Sequence, residues 1–182
     1  MPTTHHLQPA GPEDIGTIRD LFLEYEKSLG VSLCFQGFDK ELADLPGEYT
    51  PPRGRLLLAR TEGRVSGCIA LRPLDDVACE MKRLFVRPEF RGLGLGRLLA
   101  SACIDAGRDI GYDVMRLDTL PSMREAIAMY RTLGFREIPP YRPNPVEGTL
   151  YLGLALRRPY AGGAPSRAST QPRTAPRTAE GK

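Results

Sequence analysis

The chain has 182 residues, 41% of them hydrophobic, and a formal net charge of +3. That length suits one domain with a real core, and no apolar run approaches the length of a membrane span. From Pro159 onward, Arg167, Arg173, Arg177 and Lys182 stand against Glu180 and account for the whole positive surplus. The remainder is neutral, which argues against nucleic acid as the main partner.

The start, Met1-Pro2-Thr3-Thr4-His5-His6, lacks the apolar core of a signal peptide, so a cytoplasmic protein is expected. Cys34, Cys68, Cys79 and Cys103 show no C-x-x-C spacing. Cys34 falls in an expected loop and the others in apolar strand or helix patterns, which predicts free thiols in a reducing compartment. His5 and His6 fall at an expected frayed end, and adjacent residues of a strand face opposite ways, so no metal site is expected.

Leu7-Gln8-Pro9 reads as a short first strand. Ile15, Ile18, Leu21, Phe22, Tyr25 and Leu29 repeat at helical spacing and predict a helix over 13–29, with Gly30 as its stop. A second, short helix is expected over 38–45, with Asp39 as cap and Pro46-Gly47 as terminator. Two strands, 55–61 and 65–71, flank the turn Glu62-Gly63-Arg64, and a further strand runs over 78–86. A helix over 94–110 carries the apolar stripe Leu95, Leu98, Leu99, Ala102, Cys103, Ala106 and Ile110, and Gly111 stops it. A strand over 114–119 follows, then a helix over 122–133 stopped by Gly134. Strands over 135–138 and 149–156 close the domain around the proline-stiffened loop 139–148. This order predicts an α/β fold with a mixed sheet and helices on both faces. It divides the chain into a domain over 1–157 and a tail over 158–182. The tail is rich in Pro, Ala and Arg and is expected to be disordered.

The most informative stretch is Arg91-Gly92-Leu93-Gly94-Leu95-Gly96-Arg97, between the 78–86 strand and the following helix. Three alternate glycines permit close backbone approach. A helix N-terminus adds unpaired N–H groups and a positive dipole end, and the flanking arginines add charge-assisted donors. This set suits a phosphate or pyrophosphate. It is not a P-loop, because no Lys-Ser or Lys-Thr follows the glycines. It is not a dinucleotide fingerprint either, because Arg97 stands where the third glycine belongs.

Arg91, Gly94 and Gly96 hold the fixed positions of a loop of the form [Arg/Gln]-x-x-Gly-x-[Gly/Ala]. Glu80-Met81-Lys82-Arg83-Leu84-Phe85-Val86 precedes it, and Ala126, Tyr130, Gly134 and Phe135 follow in an A-x-x-x-Y-x-x-x-G-F pattern. Together these resemble the GNAT N-acetyltransferase superfamily over roughly residues 5–157. The resemblance implies seven mostly antiparallel strands, splayed between the fourth and fifth, with acetyl-CoA wedged in the gap as cosubstrate and no metal. It implies that Leu84, Phe85, Val86 and the loop from Arg91 through Gly92, Leu93, Gly94, Leu95 and Gly96 to Arg97 bind the cofactor. Tyr130 would reach the CoA sulfur as general acid, and Glu80 is expected as the base, unless water removes the proton. Many members carry Asn where this chain has Met123, which puts one contact to the cofactor arm in doubt.

The acceptor is expected to be a small-molecule amine. The first two helices would supply Tyr25, Phe35, Gln36, Phe38, Asp39 and Glu41, and the last loop Tyr141, Arg142, Asn144 and Glu147. Arg83 would project from the cofactor strand as a clamp for an acceptor carboxylate. Of these, Tyr25, Arg83, Tyr141 and Asn144 are the expected substrate residues. A protein lysine or N-terminal acetyltransferase is an alternative, and so is an acyl-CoA sensor without turnover. The superfamily also makes a homodimer an expectation to test.

Overall fold

The computed structural model describes residues 3–157. The tail expected over 158–182 lies outside these residues. One sheet holds seven strands: β1 (His5–Pro9), β2 (Arg55–Thr61), β3 (Arg64–Pro73), β4 (Ala78–Val86), β5 (Val114–Thr119), β6 (Arg136–Glu137) and β7 (Leu150–Ala155). Their spatial order is β1-β2-β3-β4-β5-β7-β6. Every neighbouring pair is antiparallel except β4 and β5. A parallel pair needs a crossover, and α3 (Leu95–Ile110) supplies it.

The apolar stripe expected on α3 is buried at Leu95, Leu99 and Cys103, whereas Leu98 is exposed and Ala100 and Ile104 complete the buried face instead. Leu95, Leu99 and Cys103 pack with Ile69, Leu71, Met81 and Met115 on one face of the sheet. Tyr130 of α4 (Arg124–Thr132) joins that cluster. On the opposite face, Ile18, Leu21 and Phe22 of α1 (Ile15–Leu29) and Phe38 of α2 (Phe38–Asp44) cover Leu58, Cys68, Ala70 and Phe85. Each fully buried Leu or Phe contributes roughly 1.5–3 kcal/mol of transfer free energy. Two such layers therefore clamp the sheet and fix which edges remain open.

Local expectations fail where capping and pairing compete. Residues 12–14 form a 3-10 turn, so α1 begins at Ile15. Gly37 at φ +71 precedes α2, and Asp39 lies in its first turn instead of capping it. His5 and His6 belong to β1, where His5 Nδ1 lies 2.9 Å from Thr61 Oγ1, so this end is paired and not frayed. β7 inserts between β5 and β6, because its six-residue pairing with β5 leaves the two-residue β6 at the edge.

One irregularity matters for function. In the β3–β4 pair, Cys68 faces Phe85 and Ala70 faces Lys82, so Ile69 spans both Arg83 and Leu84. The extra residue is a β-bulge. Arg83 sits in it at φ +56, a region costly for a long side chain.

Candidate active site

β4 and β5 stay in register only at Ala78↔Val114, Cys79↔Met115 and Glu80↔Arg116. Beyond Glu80 the pairing ends, although β4 runs on to Val86 and β5 to Thr119. The facing edges over 81–86 and 117–119 line the resulting cleft, which holds two connected spaces.

The outer space is a groove of about 800 Å³. Leu84, Phe85 and Val86 form one wall and the start of α3 closes one end. Gly92 and Gly94 lie at φ +78 and +79, and a Cβ at either position would meet nothing within 4 Å. Conformation, not space, demands glycine at both positions. At Gly96 the missing side chain leaves the groove open, since a Cβ there would first meet Val86 and Met129 at 3.9 Å. No side chain caps α3. Its first intrahelical donor is Leu98 N–H, to Gly94 O at 3.1 Å. The N–H groups of Leu95, Gly96 and Arg97 are therefore unpaired within the helix, at the positive end of its dipole.

Arg91, Arg97 and Arg124 all line this groove. Arg91 Nε donates to Val86 O at 3.1 Å, and Arg97 donates to Thr132 Oγ1. Free amides and three guanidinium groups make a donor set that fits a pyrophosphate. Leu93 is an exception within the loop. Its side chain is exposed and stands outside the groove, and its carbonyl lies 3.3 Å from His5 Nε2.

The inner space is a cavity of about 40 Å³ deeper in the cleft. Gln36, Lys82, Arg83, Asp118 and Asn144 are its polar lining, and Met81 and Leu117 contribute apolar walls. Tyr25, Leu29, Leu84, Met123 and Tyr130 line both spaces and so mark their junction. Tyr130 is 5% exposed and packs edge-on against Phe135, with ring centroids 5.6 Å apart. Its hydroxyl makes no hydrogen bond to another described residue. Burial pushes its pKa far above the ordinary phenol value, so it stays protonated at working pH. Met123 brings a thioether to the junction, within 3.7 Å of Thr119 Oγ1, where the family's amide is absent.

Glu80 has other company. Its carboxylate is fully buried and belongs to the lining of neither space. Arg72 Nε donates to Oε2 at 2.8 Å, the Tyr141 hydroxyl to Oε1 at 2.7 Å, and an Arg142 guanidinium nitrogen lies 3.1 Å from Oε1. Both oxygens are taken by donors. Arg142 and Asn144 also bind the Asp118 carboxylate, at 2.5 and 2.9 Å, and the Tyr151 hydroxyl donates to Arg142 O at 2.9 Å. Residues 139–148 are thereby strapped onto the inner cavity. Burial and the adjacent Glu80 charge push the Tyr141 phenol up, so it remains a donor.

Arg83 is not a free clamp. It is 5% exposed and paired with Glu41 through Nε at 2.9 Å and a terminal nitrogen at 2.5 Å. Its ring neighbours are Tyr25 and Phe38. Alternation along a strand would send Lys82 and Arg83 to opposite faces, yet both donate to Gln36 Oε1 at 3.1 Å. The bulge turns both to one side. Sequence reasoning missed Lys82 for that reason. It missed Asp118 because only the end of β4–β5 pairing at Glu80 exposes that edge to the cavity, and Arg124 because only the packing of α4 brings it to the groove.

Comparison with known proteins places this geometry. The family described as Acetyltransferase (GNAT) matches residues 18–135. An uncharacterised N-acetyltransferase of Schizosaccharomyces pombe is 41% identical over 149 residues, which is 81% of this chain and 91% of that protein. A GNAT acetyltransferase from Staphylococcus aureus superposes with a TM-score of 0.73 at 20% identity, over 85% of this chain and all of that one. One from Elizabethkingia anophelis, solved with acetyl-CoA bound, superposes with a TM-score of 0.57 at 22% identity, over 85% and 98% of the two chains. A glycine loop at an uncapped helix start, beside a sheet opened between its two parallel strands, accords with that match. The chain belongs to the GNAT family of acetyltransferases.

Proposed function

We propose that the protein transfers an acetyl group to the primary amine of a small molecule within a ternary complex, with Tyr130 as general acid. The carrying observation is the place of Tyr130. A protonated hydroxyl without a hydrogen-bond partner among the described residues stands where the cofactor groove meets the inner cavity. Acetyl-CoA supplies an activated acetyl group as a thioester. The loop amides and Arg91, Arg97 and Arg124 hold the pyrophosphate end, and the open edge over Leu84–Val86 guides the arm toward Tyr130.

Transfer forms a C–N bond and breaks a C–S bond. Tyr130 gives its proton to the departing sulfur and is restored by the proton the amine gives up. Water in the cleft carries that proton in this reading. Glu80, whose oxygens already accept from Arg72, Arg142 and Tyr141, anchors the strap over 139–148 instead. The strap, pinned through Arg142 and Asn144 to Asp118 beside a cavity of about 40 Å³, also supports a small acceptor over a peptide.

Gly94→Ala is expected to weaken acetyl-CoA binding about tenfold. A left-handed residue with a Cβ costs roughly 1–2 kcal/mol, so the variant loop is expected to relax away from the conformation that lines the groove. Calorimetric titration reads this directly. The same titration on the wild type, followed by thiol release across a panel of amines, tests the whole reading. Binding in the micromolar range with amine-dependent release is expected. Release on peptides alone would replace the small acceptor with a protein one.

A further inference from the structure

Every ionised side chain around the inner cavity has an ion-pair partner among the described residues except one. Arg83 has Glu41, Asp118 has Arg142, and Glu80 has Arg72 and Arg142. Lys82 has only the amide oxygen of Gln36, at 3.1 Å. It is 6% exposed, lines the cavity and forms no ion pair with a described residue. A buried ammonium group with one neutral partner is costly. The bulge at Arg83 holds it there against the ordinary alternation of the strand.

We propose that the inner cavity is an anion subsite that takes the carboxylate of an amino acid-like acceptor, with Lys82 as its counter-charge. This rests on the reading of the cleft as an acetyl-transfer site and narrows its acceptor to an anionic amine. The about 40 Å³ available suits a carboxylate better than a ring. Asn144, itself bound to Asp118, stands at the same wall. The acceptor's amine would then lie toward Tyr130, which borders the cavity on the groove side.

Charge linkage gives an independent signature. Burial, with Arg83 next, lowers the Lys82 pKa to about 7. Glu80 on the same strand opposes this, while Arg142 from the strap and Arg72 from β3 add to it. Glu41 of α2 also interacts with Lys82, and Tyr25 and Asp118 share its cavity. Above pH 7 the empty site is therefore largely neutral, and an arriving carboxylate must draw a proton onto Lys82. Affinity for a carboxylate should be flat below pH 7 and fall toward tenfold per pH unit above it, until the raised pKa of the complex is reached.

The experiment uses the full chain with acetyl-CoA and matched pairs of amino acids and their primary amides. Wild-type kcat/KM should favour the acid of the best pair by about tenfold or more. Lys82→Met should erase that preference, through a KM that rises about tenfold more for the acid than for the amide, and Lys82→Arg should restore part of it. Calorimetry at pH 8 in two buffers of different ionisation enthalpy should show proton uptake when the matching N-acetyl amino acid binds the wild type, and none with Lys82→Met. Amides turned over as fast as acids, release on no acid in the panel, or equal losses on both in Lys82→Met would overturn the subsite. The broader reading fails separately, if acetyl-CoA itself does not bind.

Discussion

Tyr130→Phe is expected to lower kcat by about 10²–10⁴-fold, the range of one positioned proton donor, with the acetyl-CoA dissociation constant unchanged. The ring fills its place beside Phe135 in either variant, so the wall of the groove is preserved. The hydroxyl has no hydrogen-bond partner among the described residues, so its loss should cost less than about 1 kcal/mol of stability. A fall in kcat at constant Tm and constant cofactor affinity is therefore the signature. Because burial raises the phenol's pKa far above neutrality, the wild-type rate should show no limb from Tyr130 between pH 6 and 9. Wild-type turnover in the variant would end the acid role.

Glu80→Ala should be the most destabilising single change in the site. It leaves Arg72, Arg142 and the Tyr141 hydroxyl facing a void where a fully buried carboxylate stood. Removing one partner of a buried ion pair costs roughly 3–5 kcal/mol, and each kcal/mol lowers Tm by about 2–4 °C at this chain length. Released from its anchor, the strap over 139–148 should raise the acceptor KM while acetyl-CoA affinity stays the same. Glu80→Gln separates this role from that of a base. It keeps the shape and one acceptor oxygen, so an anchor predicts a partial drop in Tm, a raised KM and an unaltered pH profile of kcat. A base predicts the reverse: intact Tm, collapsed kcat and a flattened alkaline-rising limb.

The conformation of the glycine loop was legible in the sequence because its requirement is local. Positive φ at Gly92 and Gly94 and an uncapped helix start depend on a few consecutive residues, and glycine spacing reports them directly. Leu95, Leu99 and Cys103 marked the buried face of α3 for a similar reason, since helical periodicity is written in one short stretch, although Leu98 of the same stripe is exposed. Tyr130 was legible only through its resemblance. Helical spacing alone made it a core aromatic, which it also is, and its place between two spaces depends on where β4 and β5 part.

The charge partners on the acceptor side were not legible, because they come from distant segments. Arg83 looks like a free clamp until α2 folds back and brings Glu41 to it, and Glu80 looks like an open carboxylate until β3 and the strap deliver two arginines and a tyrosine.

By itself the sequence determined the element order, the two apolar faces that enclose the sheet, and the glycine loop at the start of α3. Those follow from backbone conformation and periodicity, which act over a few residues. Only the tertiary structure decided that pairing between β4 and β5 stops at Glu80 and that one bulged residue turns Lys82 and Arg83 to the same side. It also decided that Lys82, alone among the charges at the inner cavity, is left without a counter-ion in the described residues. Charge pairing is settled by distances between segments tens of residues apart, and a sequence lists the charges without those distances.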